Sequence, residues 1–348
     1  ASPPLRADLR RSTRHDGGPA AGGITAVLDR PSAGRLMMRP VNRRPSLLRA
    51  GDVVGVAAPA GPFDRASFLT GLDVLRRLDL VPRFSEAIFT KTSYLAGDDA
   101  RRGDELLALL RDPDVAAIFC ARGGYGSMRL LETHGDALLD AIPKARGLLV
   151  GFSDATALHA AWLRAQTMSV HGPVVTSLAR VGERSRTALR QLLFEAAPLG
   201  EVKLDAPIAI TPGSARGPVV GGNLSVLTRL VGSPWMPALT GKILFCEDVG
   251  ERPYRLDRML THLRLSGALA GLAGILLGDF TRCEEPGGLP EDRGSLAVVR
   301  ERTEDLGIPV LAGLPSGHGD ECFPFLHGSD VTLDADRGVV VFEQGLGA

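Results

Sequence analysis

The sequence predicts an α/β protein: a parallel sheet with helices on both faces, followed by a β-rich module. Three observations predict it. Short apolar runs alternate with segments of helical period from residue 53 to 163, the pattern of strands joined by crossover helices. The run Val115–Cys120 is apolar throughout, as in a doubly buried strand, and it breaks on glycines before a helical pattern resumes. The chain closes on two short alternating runs, 331–333 and 339–342.

At 348 residues the chain exceeds one typical core. It divides into a leader, 1–46, a first domain over 47–205 and a second over 206–348. The leader is rich in Arg, Pro, Gly and Ala without periodicity and is expected to be disordered. It lacks the apolar middle of a secretion signal, and Met37 or Met38 offers an alternative start. The 40 basic and 40 acidic residues balance, so no basic field argues for nucleic acid. No apolar run is long enough for a membrane span. The four cysteines are scattered, with no Cys-x-x-Cys; Cys120 and Cys246 lie in apolar strand-like runs and read as buried thiols rather than disulfide or metal ligands, which suits a reducing cytoplasm.

In the first domain, residues 53–58 read as a small-residue strand stopped at Pro59. Phe68, Leu69, Leu72, Leu75 and Leu78 follow at helix spacing. Residues 101–110 read as a second helix, closed by Asp112-Pro113. Then come the strand 115–120, the turn Arg122-Gly-Gly-Tyr-Gly-Ser127 and a helix through Leu130 and Leu131. A third unit has a strand at 147–152, a turn at Ser153-Asp154 and a helix at 155–163. In the second domain, 212–218 reads as a linker or exposed turn, and a helix carries Leu224, Leu227 and Leu230. Residues 242–246 form a strand running into Glu247-Asp248, and Pro253 opens a helix. A further strand at 274–280 precedes an acidic, Gly- and Pro-rich loop at 283–293.

Ser127 stands where a strand breaks into a helix, at the sheet edge where α/β folds place ligands. It is read as a nucleophile, with a phosphate loop or a plain tight turn as alternatives. The turn matches neither Gly-x-x-x-x-Gly-Lys-Ser/Thr nor Gly-x-Gly-x-x-Gly, and Tyr125 and Arg129 occupy the glycine positions of a Gly-x-Ser-x-Gly elbow. Ser153 competes for the role, although Ser and Asp at that point also suit a helix cap. Glu247 ends an apolar strand, so it is either exposed there or partnered. His318 lies between glycines in an exposed loop, and His171 is the rival base. His159 reads as a core histidine and His262 as solvated. No His or carboxylate pair has zinc-ligand spacing, so no metal is expected.

Taken together, Arg122-Gly-Gly-Tyr-Gly-Ser127-Met-Arg-Leu-Leu131, Gly151-Phe-Ser-Asp154, His171-Gly-Pro173, Gly222-Asn-Leu224, Leu244-Phe-Cys-Glu-Asp248 with Glu251, Pro253-Tyr254 and Asp257-Arg258, and Gly317-His-Gly319 occur in one order. This ordered set closely resembles the LD-carboxypeptidase family of serine peptidases, which includes muramoyltetrapeptide carboxypeptidases and microcin immunity peptidases. The likeness covers about residues 47 to 345. It implies a flavodoxin-like first domain, a smaller swivelling β-rich second domain, a homodimer and no cofactor. It implies a triad of Ser127, Glu247 and His318, with relatives often carrying an aliphatic residue in place of Cys246. On that mechanism the oxyanion meets backbone N–H groups of Met128 and of Gly123 or Gly124. Arg122 or Arg129 is the candidate for binding the terminal carboxylate of a small peptide, with a surface or structural ion pair as the alternative for each, and Asn223 is a candidate amide or carboxylate contact on the facing domain. The expected substrate is a murein tetrapeptide that loses its terminal D-Ala. A peptidyl-nucleotide or other toxic amide is the alternative within the class, and a non-catalytic murein-peptide binder the alternative outside it. Trp235 is the one weak candidate for stacking a base.

Overall fold

Five strands, β1 (Val53–Ala57), β2 (Val81–Arg83), β3 (Val115–Cys120), β4 (Leu148–Gly151) and β5 (Ser169–His171), pair in parallel. The computed structural model describes residues 43–285, 287 and 294–347. The strand order is 2-1-3-4-5, the flavodoxin-like arrangement, with Phe325–His327 added antiparallel at the β5 edge. The order reverses between β1 and β3, which opens a crevice at the carboxyl ends of these strands. One face of the sheet packs α1 (Arg65–Arg77), through Phe68, Leu72 and Leu75, against Val54, Val56 and Phe119. Its other face packs α2 (Asp99–Arg111), α3 (Ser127–Thr133), α4 (Gly135–Ala141) and α5 (Thr156–Arg164) against Ile118, Cys120 and Leu149. Successive strand residues point to opposite faces, so a run that is apolar throughout serves both layers.

The second sheet contains β6 (Gly200–Lys203), β7 (Ile208–Thr211), β8 (Ser214–Asn223), β9 (Ile243–Val249), β10 (Gly274–Thr281) and β11 (Val310–Ala312). With Phe325–His327 as β12, it is completed by β13 (Asp330–Asp334) and β14 (Val339–Phe342), in the order 6-14-13-8-9-10-11-7. The central strands β8 to β11 are parallel and the outer ones antiparallel. After α6 (Glu183–Phe194) in the first half, α7 (Leu224–Thr228), α8 (Pro253–Leu265) and α9 (Ser295–Thr303) cover one face of this sheet. Its other face carries Phe245, Leu276 and Leu311 into a core shared with Phe325 and Phe342. Both sheets belong to one compact unit.

Two expectations need correction. Residues 43–46, assigned to the disordered leader, are tied to the body. The Arg43 backbone pairs with Gln166 and Met168, its guanidinium donates to the Ile142 carbonyl at 3.0 Å, and Ser46 bridges to Gly347. The segment 212–218 is not a linker: from Ser214 it is the first half of the ten-residue strand β8, paired with β13. Residues 1–42, and 286 and 288–293 of the acidic loop, lie outside the described residues.

Candidate active site

The carboxyl edges of the two sheets face each other across the site. From the second sheet, β9 delivers Glu247, whose side chain is fully buried. A buried carboxylate needs partners, and Glu247 has two. Its Oε1 accepts from Asn223 Nδ2 at 3.2 Å and its Oε2 from His318 Nδ1 at 2.7 Å. The loop between β11 and β12 carries His318. Gly317, at φ +154°, lets that loop close on the acid, because a Cβ there would stand 3.2 Å from Glu247 Oε2. A carboxylate only accepts, so His318 Nδ1 carries the proton and Nε2 is left as an acceptor.

That acceptor meets a serine, and the serine is Ser153. Its Oγ lies 3.0 Å from His318 Nε2. Ser153 follows β4 and opens the turn into α5 with φ +62°, a left-handed conformation uncommon for a residue with a side chain. It caps no helix, since neither the short 3₁₀ turn nor α5 has a side-chain cap. Small neighbours make the sharp turn possible. A Cβ on Gly151 would come within 2.8 Å of Cys120 Sγ and 3.0 Å of Ala155 Cβ. The local sequence is thus Gly151-x-Ser153-x-Ala155, an elbow with alanine in place of its last glycine.

Ser127 occupies a different place. It is fully buried at the start of α3, behind the elbow, and its N–H donates to Asp154 Oδ2 at 2.7 Å. Its hydroxyl lies beside the same carboxylate without forming a well-directed hydrogen bond. The hydroxyl that the imidazole reaches therefore comes from the third strand–turn–helix unit of the first half, not the second. The glycine turn supports the elbow. A Cβ on Gly123 would stand 2.9 Å from both Cβ and Oγ of Ser153, and Gly124, at φ +107°, lies against Gly61. The buried Arg102 donates to the Gly126 carbonyl at 2.9 Å and to that of Pro59. Met128 starts α3 beside Ser127 and packs against the apolar cluster, so it does not follow the serine that the imidazole contacts. The residue in that position is Asp154.

The other nominated residues separate clearly. Arg129 is engaged by Asp99, with Nε to Oδ1 at 2.8 Å, a hydrogen bond that raises the guanidinium pKa further. Arg122 is exposed and donates to the Pro62 carbonyl. Asn223 is a support for the acid: besides Glu247 it donates to Asp248 Oδ1 at 3.1 Å and caps α7 at Val226 N. His171 is fully buried, stacks on Phe325 at 4.8 Å and has no hydrogen bond at either nitrogen. Burial and the neighbouring imidazoles push its pKa well below the ordinary value, so it is an inner neighbour of the site rather than a base. His159 is in the core and His262 exposed.

The field of the site is negative. Burial pushes Asp248 up to about 6, helped by Glu247, and burial with Glu247 does the same to Asp279, also to about 6. Burial opposes charge on His318, but the hydrogen bond and charge of Glu247 outweigh it and leave the imidazole above its ordinary value. Phe152 covers the imidazole at 4.9 Å. A hydroxyl, an oriented imidazole and a buried carboxylate in series can generate an alkoxide-like nucleophile and return its proton to a leaving group. Among the described residues no cluster of His, Cys, Asp and Glu could hold a metal ion, and no helix is long and apolar enough to cross a membrane.

The chain matches known proteins along most of its length. Residues 54–172 match the LD-carboxypeptidase N-terminal domain and residues 216–333 the LD-carboxypeptidase C-terminal domain. A Synechocystis protein bearing a carboxypeptidase name is 40% identical over 300 residues, 86% of this chain and 97% of its own. The murein tetrapeptide carboxypeptidase of Pseudomonas aeruginosa is 33% identical over 254 residues, 70% of this chain and 80% of its own. The crystal structure of muramoyltetrapeptide carboxypeptidase from Oxalobacter formigenes superposes with a TM-score of 0.76 at 26% identity, covering 85% of this chain and 100% of that one.

Proposed function

The chain belongs to the LD-carboxypeptidase family and is an enzyme of the carboxypeptidase class, and from that premise we propose that it is a serine peptidase releasing a C-terminal D-amino acid from a murein tetrapeptide. In this reading Ser153 is the nucleophile, His318 the general base and Glu247 the group that orients the imidazole. One observation carries it: Ser153 Oγ, His318 and Glu247 Oε2 form a continuous hydrogen-bonded series of 3.0 and 2.7 Å.

The steps follow from that series. His318 Nε2 takes the Ser153 proton as Oγ attacks the carbonyl carbon of the last amide. Glu247 stabilises the imidazolium that forms. His318 then gives the proton to the departing amine nitrogen, the C–N bond breaks and an acyl-serine remains. Water, deprotonated by the same imidazole, hydrolyses that ester and restores the hydroxyl. The oxyanion is met by the N–H of Asp154, the residue after the nucleophile, with Gly123 or Gly124 supplying the second donor from the turn packed on Ser153. Arg122, exposed beside the glycine turn, is the arginine left to bind the terminal carboxylate. The reading includes a homodimer working in cytoplasmic cell-wall recycling, and light scattering on the purified protein tests the dimer.

Incubation with a muramoyl tetrapeptide tests the activity. Release of free D-Ala by the wild type, abolished by Ser153→Ala, supports the reading. Failure to release it, with a peptidyl-nucleotide cleaved instead, moves the enzyme to the immunity-type substrate.

A further inference from the structure

Of the two arginines suggested by the sequence, Arg129 is engaged with Asp99. Two arginines without a carboxylate partner among the described residues line a cavity elsewhere. It measures about 210 Å³ and is lined by Arg229, Glu251, Tyr254, Arg255, Arg258 and Met259, between the end of α7 and the first turns of α8. Glu251, its one carboxylate, is occupied by Arg255 Nη1 at 3.2 Å and by the Ser225 hydroxyl at 3.2 Å. Arg229 donates to the Ser225 carbonyl at 2.6 Å and to its hydroxyl, and has no carboxylate partner among the described residues. The guanidinium of Arg258 lies 5.4 Å over the Tyr254 ring and likewise has no described carboxylate partner. Among the described residues the lining therefore holds two positive charges in excess. The Tyr254 hydroxyl registers that field: the Arg255 hydrogen bond, then Arg255, Arg258 and Arg252 as charges, lower its pKa.

The cavity is wired to the acid of the site. Glu251 accepts from Ser225, Ser225 N donates to Asp248 at 2.8 Å, Asn223 bridges Asp248 and Glu247, and Glu247 holds His318. Glu251 is four residues from Glu247, so their Cα atoms stand no more than ~14 Å apart. A peptide residue spans up to ~3.5 Å, and an arginine side chain reaches back over several ångströms. A peptide seated at Ser153 that runs toward this end of β9 brings an internal group to these guanidinium groups.

We propose that Arg229 and Arg258 form a subsite for an internal carboxylate of the peptide substrate, remote from the bond that is cut. Guanidinium binds carboxylate through paired N–H donors, and Tyr254 adds a hydroxyl to the same wall. This subsite rests on the peptidase reading above and names what that peptidase recognises on the amino side of its cleavage point.

The test compares two murein tetrapeptides that differ only at the second residue, with its carboxylate free or converted to the primary amide. The wild type is expected to favour the free carboxylate by at least tenfold in KM, and Arg258→Ala and Arg229→Ala to erase that preference. Equal KM for the two peptides, or an equal rise for both in the variants, overturns the subsite. Calorimetric binding of both peptides to Ser153→Ala protein separates this from the reaction itself. A preference for the carboxylate peptide that disappears in Ser153→Ala/Arg258→Ala supports the subsite even if no turnover is found. Equal binding, or none, overturns it.

Discussion

Ser153 Oγ stands 3.0 Å from His318 Nε2, so one hydrogen bond joins a residue that ends a strand of the first sheet to a loop of the second half. The bond forms because β4 is followed by a left-handed serine and the His318 loop closes on Glu247 through Gly317. Each arm is held from behind, the serine by the Gly123 turn and the imidazole by the buried acid.

The pH dependence follows from the raised pKa of His318. On the proposed mechanism His318 acts as base when neutral, so kcat/KM should rise with pH through a value above the ordinary 6.5 of histidine. Glu247→Gln removes the charge that outweighs burial. Its residual activity should be lower, with the acid limb moved to lower pH, because the charge of Glu247 no longer offsets burial of the imidazole. An acid limb unmoved by the substitution would contradict the pairing.

Gly123→Ala probes the packing of the two turns. The added Cβ would stand 2.9 Å from Ser153 Oγ and Cβ, closer than such contacts occur. Either the glycine turn or the serine must shift, and on the proposed mechanism an oxyanion donor is displaced in both cases. Loss of one donor costs about two to three orders of magnitude in kcat. The measurement is kcat on the tetrapeptide alongside thermal unfolding, with kcat falling far more than stability.

Asp154 links the Ser153 turn to the glycine turn by accepting the Ser127 N–H at 2.7 Å inside the core. Asp154→Ala leaves that donor unsatisfied, at a cost of about 1–3 kcal/mol in unfolding free energy. Asp154→Asn keeps an acceptor and should recover most of the loss. Urea titration of the three proteins reads the difference.

Three buried imidazoles make the fold acid-sensitive. Burial lowers His159 to about 4, and burial with neighbouring imidazoles lowers His171 and His327 well below the usual value. All three are neutral in the folded protein, while the unfolded chain protonates them below about pH 6.5. Stability is therefore fully present above pH 6.5 and declines as pH falls, by about 1.4 kcal/mol per unit for each imidazole, until the folded groups also take up protons. His171→Phe should flatten this slope by one proton, because neither ring nitrogen has a partner to lose. Urea unfolding at pH 7 and pH 5 measures both slopes.

The fold was legible where spacing decides it. Apolar runs and helix-period leucines place β1, β3, β4, α1, α2 and α5 within a few residues, because burial on both sheet faces demands them. Ser214–Pro218 was not legible as strand, since its glycine and proline signal a turn. Gly217 is needed there because a Cβ would meet the Gly241 carbonyl oxygen at 2.4 Å, a contact between residues far apart in sequence. Glu247 and His318 were legible as site candidates, since an acid at the mouth of an apolar strand and a histidine between glycines both need explanation. The serine that meets His318 was not. The glycine turn at Ser127 is the more conspicuous feature, yet its glycines serve as packing space for a neighbouring turn. The signal for Ser153 lies in Gly151-x-Ser153-x-Ala155, small residues on each side of a serine that follows a strand.

Active-site labelling tests the central claim most directly. Wild-type protein treated with a fluorophosphonate, digested and analysed by mass spectrometry should carry the adduct on Ser153, and Ser127→Ala protein should label as the wild type does. An adduct on Ser127, or unchanged labelling of Ser153→Ala protein, would contradict the assignment.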